Sequence, residues 1–356
     1  MEIESNQWFS VLTGISEEKW IKHRSFPSNF PFEANAGSFE LWSLEKLMES
    51  IASLPSPTQQ TAKPETPEQQ AKERVEFPEF VIHVRKPPTH DAGQESDNSW
   101  FDTSALQLKL KTADSKVPVM FQVASNFNCQ ENADAQVDFK KDKFLTRLMS
   151  DLTQGPSASG GAGIGAILRL KTHLEHPINL LSDTSLREQM IQGKLFASKI
   201  QPLSKAFDVN KVQIGLHTDT LAQFDRSRSK RTCLYYKQGV LIDQVFVSTL
   251  IRPEKFQEGL TADLLYAAYL GTYLSAIKRN TEVLVLTLIG GGVFANPLTL
   301  ILSAIARAHA YYVASKRGNL KQVILPLYAS NVSPTDVLFA LERIHYPAHF
   351  ITIKHF

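Results

Sequence analysis

Apolar and polar positions alternate most regularly in the C-terminal third of the chain. Residues 260–278 carry apolar side chains at helical spacing over a wide face, which predicts a core-packed helix. The run 283–289 (VLVLTLI) is apolar without alternation, as in a central parallel strand covered on both sides. A helix is predicted over 297–315, with Pro297 suited to its first turn, and then a strand over 322–328. Ser333-Pro334-Thr335-Asp336 opens another helix with a capping serine, a first-turn proline and an acid at the positive helix end. Residues 350–354 close as a strand. Upstream, 118–124 (PVMFQVA), 212–216 and 244–250 read as strands, and 139–151 as a helix. Strands alternating with helices imply right-handed crossovers, so the expected class is α/β: a doubly wound mixed sheet with helices on both faces.

The N-terminal part divides differently. Residues 1–52 hold aromatic segments around Trp8-Phe9 and Phe39-Trp42 and a short helix over 43–52, and are expected to form an extension packed on the core. Residues 53–79 are rich in Pro, Gln, Glu and Thr and poor in apolar side chains, the composition of a flexible insertion that buries too little surface to offset its ordering entropy. A second polar stretch, 90–100, reads as a loop. Residues 80–356 form the expected main domain.

Composition excludes several classes. With 43% hydrophobic and 21% charged residues, the chain has enough apolar material for a sizeable core. A formal net charge of +2 gives no global field toward nucleic acid or an anionic membrane. One basic run, Arg226-Ser227-Arg228-Ser229-Lys230-Arg231, reads as an exposed loop, so no nucleic-acid partner is expected. Two cysteines, Cys129 and Cys233, make no disulfide framework, no CxxC pair or HExxH spacing offers a metal site, and no metal or cofactor is expected. MEIESNQWF lacks the basic and apolar regions of a signal peptide, so the expected location is cytoplasmic. The uncharged stretch 283–306 is long enough for a bilayer, but three glycines and Asn296-Pro297 interrupt it; strand, loop and helix explain it better, and no membrane partner is expected.

Gly290-Gly291-Gly292-Val293-Phe294-Ala295-Asn296-Pro297 carries the strongest chemistry. In open α/β sheets, ligands sit beyond the carboxyl ends of strands, where this loop is predicted. Glycines let backbone approach a phosphate, and the following helix presents amides and a positive dipole end. A tight turn without ligand is the competing account, yet three glycines exceed what a turn requires. The spacings Gly290-x-Gly292-x-x-Ala295 and Gly161-x-Gly163-x-x-Ala166 fit the dinucleotide fingerprint loosely. The first lacks the ribose-binding acid about 20 residues on, and the second follows no strand, so a nicotinamide-dependent oxidoreductase is not favoured.

Four motifs occur in order: Phe121-Gln122-Val123-Ala124-Ser125-Asn126-Phe127-Asn128; Asp151-x-Thr153-Gln154-Gly155-Pro156 leading to Gly160-Gly161-Ala162-Gly163; Gly215-Leu216-His217-Thr218-Asp219; and Leu286-Thr287-Leu288-Ile289-Gly290-Gly291-Gly292-x-Phe294-x-Asn296. Together with Leu12-Thr13-Gly14 they make the chain resemble the atypical macrodomain-like ADP-ribosyl hydrolases of the MavL type, over most of its length outside 53–79. The resemblance implies a macrodomain-like fold, ADP-ribose as ligand and an ADP-ribosylated protein as partner, with arginine-linked modification, including on ubiquitin, as the favoured substrate. It departs from the family at Asn126, where Gln is usual, at Ala295, where Gly is usual, and at Ile251-Arg252-Pro253-Glu254, which replaces a small apolar segment.

On that resemblance Gly290, Gly291, Gly292, Val293, Phe294 and Asn296 form one wall of an ADP-ribose cleft, with Phe294 stacking on a ring. Gly160 and Gly161 lie in the facing loop, beside Thr153 and Gln154. Gln122, Asn126 and Asn128 would approach ribose hydroxyls, although asparagines also serve turns in their own right. Glycosidic hydrolysis needs carboxylates to activate water and assist the leaving group. Asp219, after a short strand, is the first catalytic candidate, followed by Asp225 and Asp243; Glu131 and Asp151 are further ones, and each acid also fits a cap or a solvated charge. Without catalysis, the same residues would make a non-enzymatic ADP-ribose reader.

Overall fold

A computed structural model describes residues 1–54, 77–84, 118–132, 136–143, 145, 148, 162–202, 206–226, 232–327 and 332–355. Among them, nine strands join in one sheet: β1 (Glu2–Glu4), β2 (Ser38–Ser43), β3 (Glu79–Val84), β4 (Val119–Ala124), β5 (Gln213–Arg226), β6 (Thr232–Val247), β7 (Val283–Val285), β8 (Gln322–Leu327) and β9 (Ile351–His355). Their order is β2-β5-β6-β4-β7-β8-β3-β9, with β1 also on β6. β4, β7, β8, β3 and β9 run parallel to β6 and to one another, whereas β5 is antiparallel to both β6 and β2. The sheet is therefore mixed α/β, and its parallel strands carry the run of apolar side chains expected of strands covered on both faces.

Helices α1 (Trp8–Thr13), α2 (Glu17–His23), α3 (Phe32–Ala36) and α5 (Gly163–Glu175) gather one core around Trp8, Trp20, Phe32 and Phe224. The larger core belongs to α4 (Leu44–Ala52), α6 (Glu258–Lys278), α7 (Leu298–Ser315) and α8 (Pro334–Glu342) with the buried strands. α6 is buried almost all round. Its hydroxyls tolerate this because Thr261, Thr272 and Ser275 each donate to a carbonyl one turn back. α8 starts as its sequence predicts: Ser333 and Asp336 form a reciprocal capping box, with Pro334 in the first turn. No helix among the described residues is long and apolar enough to cross a membrane.

Several element boundaries differ from the sequence reading. The strands expected over 212–216 and 244–250 are the ends of one long hairpin, β5–β6, whose register shifts between His217 and Thr220 and again between Ala222 and Phe224. The strand expected over 283–289 stops at Val285. Glu79, assigned to the insertion, opens β3, which lies between β8 and β9. Most of 53–79 and the loop at 90–100 fall outside the described residues, whereas the helix expected over 139–151 is not formed at 139–143, which are turn and irregular backbone, and its residues 144, 146, 147 and 149–151 fall outside them. Residues 1–52 contribute β1 and β2 to the sheet itself.

One buried charge ties these layers together. Arg169 on α5 lies over the Phe246 ring, 3.7 Å from its centroid, and donates to His217 Nδ1 at 3.1 Å. Arginine has no acceptor, so Nδ1 must accept, and the His217 proton sits on Nε2, which donates to the Ala36 carbonyl at 2.6 Å. Burial, with the adjacent guanidinium, pushes His217 down to about 3 and keeps it neutral.

Candidate functional site

Four segments meet at the carboxyl end of β4, β6 and β7. The turn 125–132 leaves β4, residues 191–197 form a small bridged loop, 248–252 leave β6, and 286–297 leave β7. Backbone bonds join them in series: Phe127 N donates to Gly193 O (2.7 Å), Ile251 N to Leu195 O (2.9 Å), and Arg252 N to Phe294 O (2.7 Å). Lys194, itself buried, donates its Nζ to Asn132 O.

The glycine loop begins where β7 is drawn off the sheet. Gln122 on β4 accepts from Thr287 N through Oε1 (3.1 Å) and donates through Nε2 to Thr272 on α6 (2.9 Å). Tyr269 donates its hydroxyl to Thr287 O (2.8 Å) and accepts from Ile289 N (2.9 Å). These side chains replace ladder partners, so the apolar run ends as a strand at Val285 without leaving its backbone unsatisfied. Gly290 has φ +75°, and a β-carbon there would lie 2.7 Å from both Asn296 and Thr249. Asn296 is the staple of the loop. It donates to Leu250 O (2.8 Å) and Phe294 O (3.2 Å) and accepts from Thr249 Oγ1 (3.1 Å).

Gly292 is different. A β-carbon there meets nothing within 4 Å, and Gly291, Gly292 and Val293 are exposed, with Phe294 half-buried. Packing explains the glycine at 290 but not the one at 292. The loop feeds α7, whose first turn has no acid and whose N-cap, Pro297, supplies no side-chain cap. An 18-residue helix thus starts, without a side-chain cap, a few residues after an exposed glycine backbone, and helix starts of this kind favour anions.

The other predicted residues are distributed unevenly. Asn126 and Asn128 lie at the site but face inward. Asn126 donates to Gln130 O (2.7 Å) and to Asn132 Oδ1 (3.1 Å), while Asn128 accepts from Gln130 N (3.0 Å) and donates to Gln192 O (3.3 Å). Through these bonds they hold loops, as Gln122 and Asn296 do. Thr153, Gln154, Gly160, Gly161 and Asp151 lie outside the described residues. Ala162, the first described residue after that second glycine loop, belongs to the apolar cluster of Val119, Phe121, Ala222 and Ile242, level with the start of β4 rather than its carboxyl end.

The aspartates lie elsewhere too. Asp243 pairs with Met120, second residue of β4 and about 13 Å of strand rise before Ala124. Asp219 sits in the β5 bulge with φ +54°, and its N–H donates to Asp243 Oδ1 at 2.8 Å. Arg279, just after α6, bonds both carboxylates, at 2.9 Å to Asp243 Oδ2 and 2.9 Å to Asp219 Oδ2. Burial pushes the Asp243 carboxyl up, against the pull of Arg279. Asp225 stands farther along β5, opposite Leu234. The expectation that Asp219 lies at the ligand end fails because β5 is antiparallel and continues past it. The described acid that follows a parallel strand into the site is Glu131, buried in the turn after β4. Sequence reading also missed Thr249, Tyr269 and Arg252, whose roles depend on partners far along the chain. Among the described residues no group of three or more His, Cys, Asp or Glu is gathered to hold a metal.

No known family profile matches the chain, and no curated protein matches it. Among solved structures it is similar to poly(ADP-ribose) glycohydrolase from Thermomonospora curvata, at 13% identity over 96% of this chain and 99% of that one, with a TM-score of 0.45. It is also similar to the poly(ADP-ribose) glycohydrolase from Deinococcus radiodurans in complex with ADP-ribose, at 11% identity over 88% and 96% of the two chains, with a TM-score of 0.40.

Proposed function

We propose that this protein binds ADP-ribose against the backbone of 290–294 and removes it from modified protein by hydrolysis of the glycosidic bond. The observation that carries the reading is Gly292: an exposed glycine with no packing cause, in a loop stapled from beneath and leading into an uncapped helix. A diphosphate fits that chemistry, since successive amides and the helix dipole meet spread negative charge. The order of the four sequence motifs supports ADP-ribose over other diphosphates, with Phe294 offered to a ribose or ring. The resemblance favours arginine-linked ADP-ribose, including on ubiquitin, as substrate.

In this reading Glu131 is the carboxylate. Water attacks the anomeric carbon, the bond to the protein side chain breaks, and the leaving group takes up the proton that the water gives up. The reader alternative rests on one observation: Asp219 and Asp243 are both bound to Arg279 at the opposite end of β4. Calorimetric titration with ADP-ribose, against AMP and NAD, tests the ligand. Release of ADP-ribose from modified protein, with Glu131→Gln as the comparison, tests the chemistry. Binding without release by the wild type supports the reader; no preference for ADP-ribose over AMP and NAD overturns the whole reading.

A further inference from the structure

Beneath the turn 125–132 lies a cation whose burial its packing does not explain. Arg169 is 1% exposed. α5 comes close enough to β5 to bury it because Gly165 has no side chain: a β-carbon there would lie 2.6 Å from Thr220 Oγ1 and 2.8 Å from His217 Cε1. The guanidinium is fixed by the Phe246 ring, 3.7 Å away, and by His217 Nδ1 at 3.1 Å, yet its Nε finds no hydrogen-bond partner among the described residues. A buried ion is costly unless it is paired, and an apolar side chain of similar length would cover Phe246 at lower cost.

The surroundings of Arg169 belong to the site. Phe246 pairs with Val123, one residue before the end of β4, and Arg169 O accepts from Gln130 Nε2 at 3.1 Å. Three described titratable groups face the guanidinium. His217 on β5 is neutral, and burial pushes the Cys129 thiol far above its ordinary range, so it is neutral too. Glu131, 8% exposed, is the carboxylate that acts on it. Lys194, the other buried cation at the turn, gives its Nζ to Asn132 O. Burial pulls Arg169 down to about 10, which leaves it charged at neutral pH.

We propose that Arg169 is a positioning residue of this site: its buried charge, set behind the turn, holds Glu131 as an ionised carboxylate for the hydrolysis. This rests on the reading of Glu131 as the carboxylate that serves the reaction. Desolvation favours the protonated form of a buried acid, and a protonated acid neither activates water nor stabilises positive charge developing at the anomeric carbon. A fixed guanidinium offsets that desolvation, and it acts strongly because little water screens it. Arg169 touches no substrate and acts only through Glu131.

The test is the pH profile of ADP-ribose release by the wild type, Arg169→Gln, Arg169→Met and Arg169→Lys, with ADP-ribose titrations on each. In the two neutral variants the acid limb is expected to move up by about one pH unit or more, with turnover recovering at higher pH and ADP-ribose affinity unchanged. Arg169→Lys keeps the charge and should return the limb toward the wild-type position. An arginine with only a structural role would lower turnover equally at every pH. A double-mutant cycle in urea with Glu131→Gln reads the pairing without activity. Glu131→Gln strands the buried cation, so the double variant should be more stable than the two single losses sum to. Arg169→Gln, which keeps an N–H donor, replaces Arg169→Met in the cycle if the latter does not fold. An unmoved acid limb in the neutral variants, or additive stabilities, overturns the inference. A wild type that binds ADP-ribose and releases none overturns the hydrolase reading instead, while coupling in the cycle upholds the pair.

Discussion

Gly290 and Gly292 stand two residues apart, and the structure assigns them opposite responses to a single methyl group. At Gly290 an alanine must hold φ near +75°, which costs about 1–2 kcal/mol for an L-residue. Its β-carbon also falls 2.7 Å from Asn296 and Thr249, so the Asn296 staple must shift. Losing most of three hydrogen bonds at about 1 kcal/mol each brings the total to about 3–5 kcal/mol. With about 2.1 cal/mol/K of unfolding entropy per residue over 356 residues, that is a fall of about 4–7 °C in melting temperature. Gly292→Ala meets nothing within 4 Å, so its stability should stay within about 0.5 kcal/mol, under 1 °C. Its effect should appear in binding: a methyl where phosphate approaches removes one or two charge-assisted bonds, and ADP-ribose affinity falls at least about tenfold. Scanning calorimetry and titration calorimetry on the two variants read both quantities. If Gly292→Ala binds as wild type, and the larger Gly292→Val does too, the loop is a turn and the phosphate reasoning is wrong.

Three further outcomes follow from other parts of the molecule. Asp219→Ala removes an exposed partner of Arg279 and should leave release of ADP-ribose within about twofold, with a stability loss of about 1 kcal/mol because alanine suits φ +54° less well than aspartate; abolished turnover in a folded variant would return the catalytic role to that bulge. His217 and His309 are pushed by burial down to about 3, below the ordinary histidine value, so the folded state binds fewer protons than the unfolded one. Stability is therefore lost as pH falls from about 6.5 toward 3, by about 2 kcal/mol for each of the two at pH 5; Asp243, raised by burial, acts in the opposite sense over a lower window. Urea midpoints that do not move between pH 7.5 and 5 would contradict the neutral, buried imidazoles. Arg317 bonds Ile51 O, and Glu79 N donates to Lys321 O at 2.8 Å, so the described residues flanking 55–76 dock on one turn. Replacing 56–75 by a short Gly-Ser link should shift the melting temperature by no more than about 2 °C, since closure entropy changes slowly with length; a collapse of the transition would show that the segment carries part of the core.

The sequence made α6, α7, α8, β4 and β8 readable because burial imposes a period, and it made the α8 start readable because its cap is local. The β5–β6 hairpin was not readable beyond its ends. Asp219 and Gln223 on one strand and Lys237 on the other interrupt the apolar pattern, and the bulge at Asp219 shifts the register. That hidden strand direction also misplaced the acid: His217-Thr218-Asp219 would face a ligand only if β5 ran parallel to β6. β7 looked longer than it is because Gln122 and Tyr269, distant in sequence, satisfy the backbone of 287–289. At the site, the glycine loop was legible from composition alone. Whether Asn126, Asn128 and Asn296 bind a ligand or hold a turn was not, since the carbonyls they meet belong to Gln130, Gln192 and Leu250.

The position of β3 has a consequence for how the protein is made. Its neighbours are β8 and β9, and Glu79 meets Gln322 across 243 residues of chain. At ribosomal rates of about 5–20 residues per second, this apolar strand waits roughly 10–50 s for its first partner. Neither of its edges can be satisfied until the rest of the sheet has been synthesised, so the sheet closes late and across a long loop. A cell producing this protein would be expected to shield that strand during synthesis, and yields should respond to chaperone supply and growth temperature more than the stability of the finished fold would suggest.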